Sequence, residues 1–237
     1  MPPAVGDELR IALGILDGTA SRGGDTGGLA ALNEDLAREI CRRVATRCVT
    51  SNVRFGEILP GVEDGRFDLG FGNFLRTPER EQRVAFSAAL WRSSSRLVGR
   101  AGTIANSELA TLRRARLAVV ADTQQHAYLQ RLAAERQLAV LSAGTLAETL
   151  ALVGDGQADF ALLPMLSAYA MMVRETAGRY EFFGRPLTDD GLGGSVHIAL
   201  PKTREALRQQ VDLAIAGMRA DGTYPRIVRR HFPFSLD

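Results

Sequence analysis

Residues Phe55–Phe86 read FGEILPGVEDGRFDLGFGNFLRTPEREQRVAF, and the order of signals inside them decides the fold. Ile58, Leu59 and Val62 mark the apolar side of a short helix, and Gly65 follows where a helix needs a left-handed residue to stop. Phe67–Phe71 then reads as a buried apolar strand, after which the chain must turn. Thr77-Pro78-Glu79-Arg80 is a helix start, with threonine as N-cap, proline at the first helical position and an acid in the first turn. Arg80 therefore stands on a helix that begins just past the carboxyl end of a strand, the edge at which open α/β sheets bind ligands. A guanidinium in that place is either a surface ion-pair partner or a planar fork matched to a carboxylate.

Toward the amino terminus, Arg10–Leu16 reads as a first strand and Asp17–Gly28, with five glycines, as a loop. Asn33 is expected to cap the first helix, with Glu34 and Asp35 against its positive end. Leu36, Ile40 and Val44 recur on that helix at helical spacing, and a strand is expected over Val49–Arg54. Cys41 belongs to the end of the helix and Cys48 opens the strand. A bridge between them is geometrically possible, and two small buried apolar side chains are the alternative. Metal binding is unsupported, because the chain has three histidines and none stands near the cysteines.

Beyond Arg80 the design repeats. Ala85–Ser95 should leave the first lobe, with Arg96–Val98 a strand leading elsewhere. Arg116–Ala121 reads as an apolar strand, Asp122 and Thr123 as cap candidates for a helix through Leu132, and Leu138–Leu141 as another strand. Thr145 and Glu148 form a capping box. The stretch LAETLALVGDGQADFAL from Leu146 then falls in step with FGEILPGVEDGRFDLGF from Phe55: Glu148, Leu150, Val153, Asp155, Gly156 and Asp159 match Glu57, Leu59, Val62, Asp64, Gly65 and Asp68. Shared helix-stop chemistry would give part of this agreement, and two similar α/β lobes give all of it. Tyr180–Phe183, the Asp/Gly-rich Asp189–Ser195 and a strand over Val196–Leu200 follow. A long helix with Leu207, Val211, Ile215 and Met218 on one face ends at Asp221-Gly222, and a short helix from Tyr224 closes the chain. The C-terminal helices would pack back on the first lobe, leaving the second inserted between two crossing strands, with the cleft as the ligand site.

The 237 residues are enough for one large domain or two ordinary lobes. Hydrophobic content of 46%, charged content of 24% and a net charge of +2 are globular values. The densest basic clusters, Arg113-Arg114-Arg116 and Arg229-Arg230, lack the interleaved aromatics of a nucleic-acid surface. No apolar run has the length of a membrane helix, and MPPAVGDELR carries neither part of a signal peptide.

In the order and wording of these elements, the chain resembles the type II periplasmic binding proteins, specifically solute-binding proteins of polar amino acid ABC transporters in the histidine and lysine/arginine/ornithine branch. The words that carry the resemblance are EDLAREICRRVATRC, EILPGVEDGRFDLGF, RTPEREQRVAFS, SRLV and MRADGTYPRIVRRHFPFSLD. It implies a two-lobed α/β fold, each lobe a mixed sheet flanked by helices. Lobe 1 is built from residues 1–93 plus 194–237 and lobe 2 from 94–193, joined by two hinge strands and closing on ligand like a hinged trap. It also implies a disulfide between Cys41 and Cys48. Carried over residue by residue, Arg80 matches the arginine that clamps a ligand's α-carboxylate, and Phe55 a position that stacks the ligand's side chain. Asn73 and Leu75 lie in the turn before that arginine, with a leucine where a serine hydroxyl is expected. Gln124 stands where a backbone amide at a helix N-terminus meets the carboxylate. Two departures matter. Asp17 replaces the aromatic residue that covers the ligand, with Gly14 in place of an acid, and Pro164 replaces the aspartate that grips the α-ammonium.

The function implied is an extracytoplasmic, periplasmic solute-binding protein, monomeric and without cofactor, metal or nucleic acid. It would take a small carboxylate-bearing solute, such as an amino acid or an opine, and deliver it to an ABC permease. The alternative is the ligand-sensing domain of a membrane histidine kinase or cyclic-dinucleotide enzyme, with a fused membrane signalling module as partner. A dehydratase on the same fold would need an acid and a base in the cleft, for which Asp17, His126 and His197 are the candidates. Trp91 reads as packing.

Overall fold

The computed structural model describes residues 8–14, 28–103, 108–175 and 178–236. These residues divide into two compact units: 8–14, 28–92 and 195–236 form the first, and 93–103, 108–175 and 178–194 the second.

The first unit opens with β1 (Glu8–Gly14), α1 (Leu29–Val44), β2 (Arg47–Val53), α2 (Phe55–Glu63) and β3 (Leu69–Leu75). After these come α3 (Pro78–Arg83), β4 (Ala85–Phe86) and β5 (Trp91–Ser93). The second contains β6 (Ser95–Arg100), β7 (Arg116–Val120), α4 (Gln124–Arg136), β8 (Ala139–Ala143) and α5 (Leu146–Gly154). It continues through β9 (Phe160–Pro164), α6 (Met165–Glu175) and β10 (Tyr180–Leu187). The chain then returns along β11 (Gly194–Leu200) and ends with α7 (Glu205–Ala220) and α8 (Thr223–His231). The sheet orders are β2-β1-β3-β11-β4, with β5 on β11, and β10-β6-β9-β7-β8.

The repeat read from the sequence is a structural repeat. In each unit three parallel strands (β2-β1-β3 and β8-β7-β9) carry an antiparallel neighbour beyond the third. Gly65 and Gly156 end the equivalent helices α2 and α5 at φ 79° and 72°, conformations that a Cβ would penalise. Glu57 and Glu148 each reach back to the amide of the residue before their helix, at 3.0 and 3.1 Å. The aspartates in step prove to be clamps. Asp68 accepts the Arg10 amide at 2.9 Å and its Nε at 3.2 Å, while Arg10 Nη2 donates to the Gly65 carbonyl at 2.7 Å. Asp159 accepts the Arg116 amide at 2.8 Å and Nη2 at 2.5 Å, and Arg116 Nη1 donates to the Gly156 carbonyl at 2.8 Å. An arginine at the start of one strand thus ties the helix stop and the start of its neighbour in both units. In the first, Arg204 adds a further bond to Asp68 at 3.1 Å.

Several expectations are corrected. Asn33 does not cap the first helix: α1 starts four residues earlier, after Gly28 at φ 95°, so Glu34 and Asp35 lie in its second turn and pair with Arg38 at 3.0 and 2.9 Å. Asn33 is instead 3% exposed, inside the helix. The expected turn after Phe71 is also absent, since β3 runs on to Leu75. α4 continues past Leu132 to Arg136, and α6 had no counterpart in the sequence reading. The end of the first strand beyond Gly14, and Asp17 with most of its loop, lie outside the described residues.

Cys41 and Cys48 form a disulfide, with Cα atoms 6.2 Å apart, between the last turn of α1 and β2. α7 and α8 pack against α1. Arg43 Nη2 bonds Asp221 at 2.7 Å and the Tyr224 hydroxyl donates to the Leu90 carbonyl at 2.5 Å.

Candidate functional site

The first unit's candidate site forms where β3 hands the chain to α3. Thr77 Oγ1 accepts the Arg80 amide at 3.4 Å and Pro78 occupies the first helical position, so the helix start is the one expected. α3 is short, and the arginines on either side of Arg80 are matched with acids. Arg83 pairs with Glu63 at 2.5 Å and Arg76 pairs with Glu81. Arg80 differs. Among the described residues no carboxylate bonds its guanidinium. Nη1 donates to the Leu75 carbonyl at 2.9 Å, and the guanidinium carbon lies 5.4 Å from the Phe74 ring centre and 5.9 Å from that of Phe55. Burial of this part-buried group pushes its pKa from 12.5 down to about 10, opposed by neighbouring Glu79. The guanidinium remains charged at neutral pH, and among the described residues one donor is engaged and the rest of its planar fork meets no anion.

The aromatic floor is rooted in the core. Phe74 is 1% exposed and packs with Ala12, Ile58, Val62 and Ala199, with Phe55 at the cluster's edge. The two rings lie 5.1 Å apart. Phe74 folds back over Gly72, where a Cβ would come within 2.4 Å of its ring. Asn73, between them, takes φ 55°. Here β3 bulges: Gly70 and Phe74 oppose Ala199 and His197 of β11, so four steps on one strand face two on the other. Asn73 Oδ1 accepts a hydrogen bond from Asn33 Nδ2 at 3.3 Å.

Of the residues singled out from the sequence, Arg80, Phe55 and Leu75 are brought together in the first unit, while the Asn73 side chain, two residues before Leu75, bonds Asn33 of α1 instead. Leu75 contributes a carbonyl contact to Arg80 that the sequence reading had not anticipated. Phe74 and Asn33 were missed. The alternation of β3 could have suggested Phe74, whereas nothing local marks Asn33. Gln124 and Pro164 belong to the second unit. Gln124 opens α4, whose cap Thr123 accepts the His126 amide at 3.2 Å. Pro164 closes β9 opposite Ser95. Ser95 is fully buried, accepts from Gln125 Nε2 at 2.8 Å and donates to the Leu192 carbonyl at 2.5 Å. Asp17 lies outside the described residues.

The two histidines considered as acid–base groups are engaged elsewhere. His197 is 9% exposed with Nδ1 2.7 Å from the Ser87 carbonyl. His126 Nδ1 accepts the Asp122 amide at 3.4 Å, and its Nε2 lies 3.0 Å from Gln130 Nε2. Trp91 is 3% exposed, as a packing residue should be. Among the described residues no group of histidine, cysteine and carboxylate side chains could hold a metal ion, and no helix is long and apolar enough to cross a membrane.

Two mixed sheets flanked by helices, each built on the same three-strand parallel core, define the α/β fold of two-lobed periplasmic binding proteins. The chain matches an ancestral arginine-binding protein bound to arginine with a TM-score of 0.82 at 20% identity, covering 95% of this chain and 98% of that one. It matches an arginine transport-system periplasmic binding protein from Legionella pneumophila with a TM-score of 0.80 at 22% identity, covering 95% and 99%. The family model for bacterial extracellular solute-binding proteins, family 3, spans residues 22–234, and the chain belongs to that family. The histidine-binding periplasmic protein of Salmonella typhimurium is 26% identical over 212 residues, 89% of this chain and 82% of the relative. The lysine/arginine/ornithine-binding periplasmic protein of Escherichia coli K12 is 24% identical over the same shares.

Proposed function

We propose that this member of the solute-binding family works outside the cytoplasm, in the periplasm. It captures a small carboxylate-bearing solute on Arg80 and delivers it to an ABC permease. The observation that carries the reading is the state of that guanidinium: charged, part-buried, resting on two aromatic rings, and, among the described residues, without an acid of its own while Arg76 and Arg83 beside it have theirs. A solute carboxylate would complete it with charge-assisted hydrogen bonds, and the exposed part of Phe55 offers a surface for the solute's apolar portion. In the second unit we assign the Gln124 amide, at the head of α4, as a further anion donor.

The names of the relatives point to amino acids, and Pro164 points to a particular kind. The resemblance places an aspartate there to hold an α-ammonium, and proline has neither charge nor N–H. A free ammonium left without that partner would lose about 2–5 kcal/mol. An amino acid with a substituted amine, such as an opine, fits the substitution, as does an amine held instead by Asp17.

A thermal-shift screen over L-histidine, L-arginine, L-ornithine, an opine and simple organic acids tests the reading. A solute at about 100 times its Kd adds about 2.7 kcal/mol of stability. The opine should raise the melting temperature more than its parent amino acid. No shift with any carboxylate, confirmed by calorimetric titration, would reject the proposal.

A further inference from the structure

We propose that Asn33 is a positioning residue for the Arg80 site, acting through Asn73; this rests on the reading of Arg80 as the group that takes the solute's carboxylate. Asn33 is out of place for an ordinary helix residue. It lies inside α1, 3% exposed, where an asparagine neither caps the helix nor reaches solvent. A buried side-chain amide persists when it makes a hydrogen bond that the fold needs. The bond that Asn33 makes crosses from α1 to the bulge of β3, where Nδ2 donates to Asn73 Oδ1 at 3.3 Å. Its own Oδ1 has no partner among the described residues, so this bond is what Asn33 contributes there.

Asn73 is the residue at which such a bond matters. It has φ 55° within a strand, a backbone state that costs an ordinary L-residue free energy and that asparagine tolerates better than most. The consequences lie in the next two residues. Phe74 carries the ring nearer to the Arg80 guanidinium, and Leu75 carries the carbonyl that Nη1 bonds. Were position 73 to relax to an ordinary strand conformation, the side-chain alternation after it would change and both contacts would move. Asn33 therefore sets, at second hand, where the guanidinium points. The amide at 33 and the amide at 73 act as a pair.

The test uses nuclear magnetic resonance on the whole chain and requires no solute. Asn33→Leu keeps the volume and removes the donor. It should shift the Asn73 Cα and Cβ resonances out of their left-handed range and displace the Arg80 Nε–Hε signal, with the far-ultraviolet circular dichroism unchanged. Glycine reaches positive φ without help. In an Asn73→Gly background, Asn33→Leu should therefore leave the Arg80 signal where Asn73→Gly alone puts it. If Asn33→Leu does not fold, Asn33→Ser is read in the same way, since its hydroxyl is too short to reach. The inference is overturned if a folded Asn33 variant leaves Asn73 unshifted, or if the substitution displaces the Arg80 signal equally in both backgrounds. The functional reading fails separately. An Arg80 signal that ignores saturating L-arginine, L-histidine, an opine and acetate alike would remove the binding role while leaving the Asn33–Asn73 coupling measurable.

Discussion

Arg80→Met separates a binding arginine from a structural one. Burial lowers the folded-state pKa of this guanidinium from 12.5 to about 10. At 1.36 kcal/mol per pKa unit, that displacement corresponds to an upper figure of about 3 kcal/mol set against the folded state. The sign follows from the group being a base. Folding disfavours its protonated form, so the penalty is at full size at every pH below about 10 and fades only as pH rises from there toward 12.5. Two contributions oppose it. The charged hydrogen bond to the Leu75 carbonyl is worth about 1.5–3 kcal/mol, and the contacts with Phe55 and Phe74 about 0.5–1 kcal/mol each. The terms nearly cancel, and methionine keeps much of the aliphatic packing. The solute-free variant should therefore melt within about 2–4 °C of the parent, the equivalent of about 1 kcal/mol in a chain of this size. An arginine paired with an internal carboxylate behaves otherwise, because removing one partner of a buried pair costs about 3–5 kcal/mol. Binding should respond in the opposite way to stability. Losing a desolvated charge pair with the solute costs about 2–5 kcal/mol, which at 1.4 kcal/mol per tenfold is about 30- to 4,000-fold in Kd. Calorimetric melts and titrations of parent and variant, with the solute that gives the largest shift in the screen, measure both quantities. A solute-free melt lowered by more than about 8 °C, or an affinity retained within about threefold, would refute the reasoning.

Reducing Cys41–Cys48 opens a short loop, which by chain entropy should cost about 2 kcal/mol and lower the melting temperature by roughly 4–8 °C; scanning calorimetry with and without dithiothreitol measures it. Gly72→Ala places a Cβ against the Phe74 ring; it should destabilise by about 1–3 kcal/mol and weaken solute binding, read by urea melts and titration. The two aspartate clamps should differ in strength. Asp68→Asn, at a side chain 5% exposed that serves Arg10 and Arg204, should cost about 3 kcal/mol, and Asp159→Asn, at 38% exposure, about 1 kcal/mol or less. Their urea midpoints compare them directly. The Asp221 carboxyl is held well below the usual range, first by the Arg43 side chain and then by Thr223. That of Glu39 is lowered first by Arg42, against burial, and then by Arg43. Depressed carboxyls stabilise the fold above their ordinary values of 3.8 and 4.5 and lose that contribution as pH falls through the folded-state values. Asp221→Asn should therefore be less stable than the parent at neutral pH, with the gap in urea midpoint closing in strong acid.

Local chemistry explains which parts of this molecule could be read from its sequence. The start of α3 is written in Thr77 and Pro78, and the stops of α2 and α5 in Gly65 and Gly156, because caps and left-handed residues act over a few neighbouring positions. The internal repeat was legible as a pattern, with Asp68 and Asp159 in step, but the reason for the aspartates was not. Their partners Arg10 and Arg116 lie 58 and 43 positions away, and only the parallel pairing of strands brings them together. Asn33 shows the same limit in reverse. By composition it is a good cap, and Gly28 took that role because φ 95° suits a residue without Cβ. The asparagine was thereby freed for a bond to Asn73, 40 positions away. The bulge there follows from the same long-range pairing, since a strand that leaves β1 after Phe71 and rejoins β11 at Phe74 must absorb the extra residues between. The candidate site divides along this line. Its charge was visible in the RTPER word. Its aromatic floor and the backbone carbonyl that aims it are tertiary consequences, and they are what distinguish Arg80 from the paired arginines on either side of it.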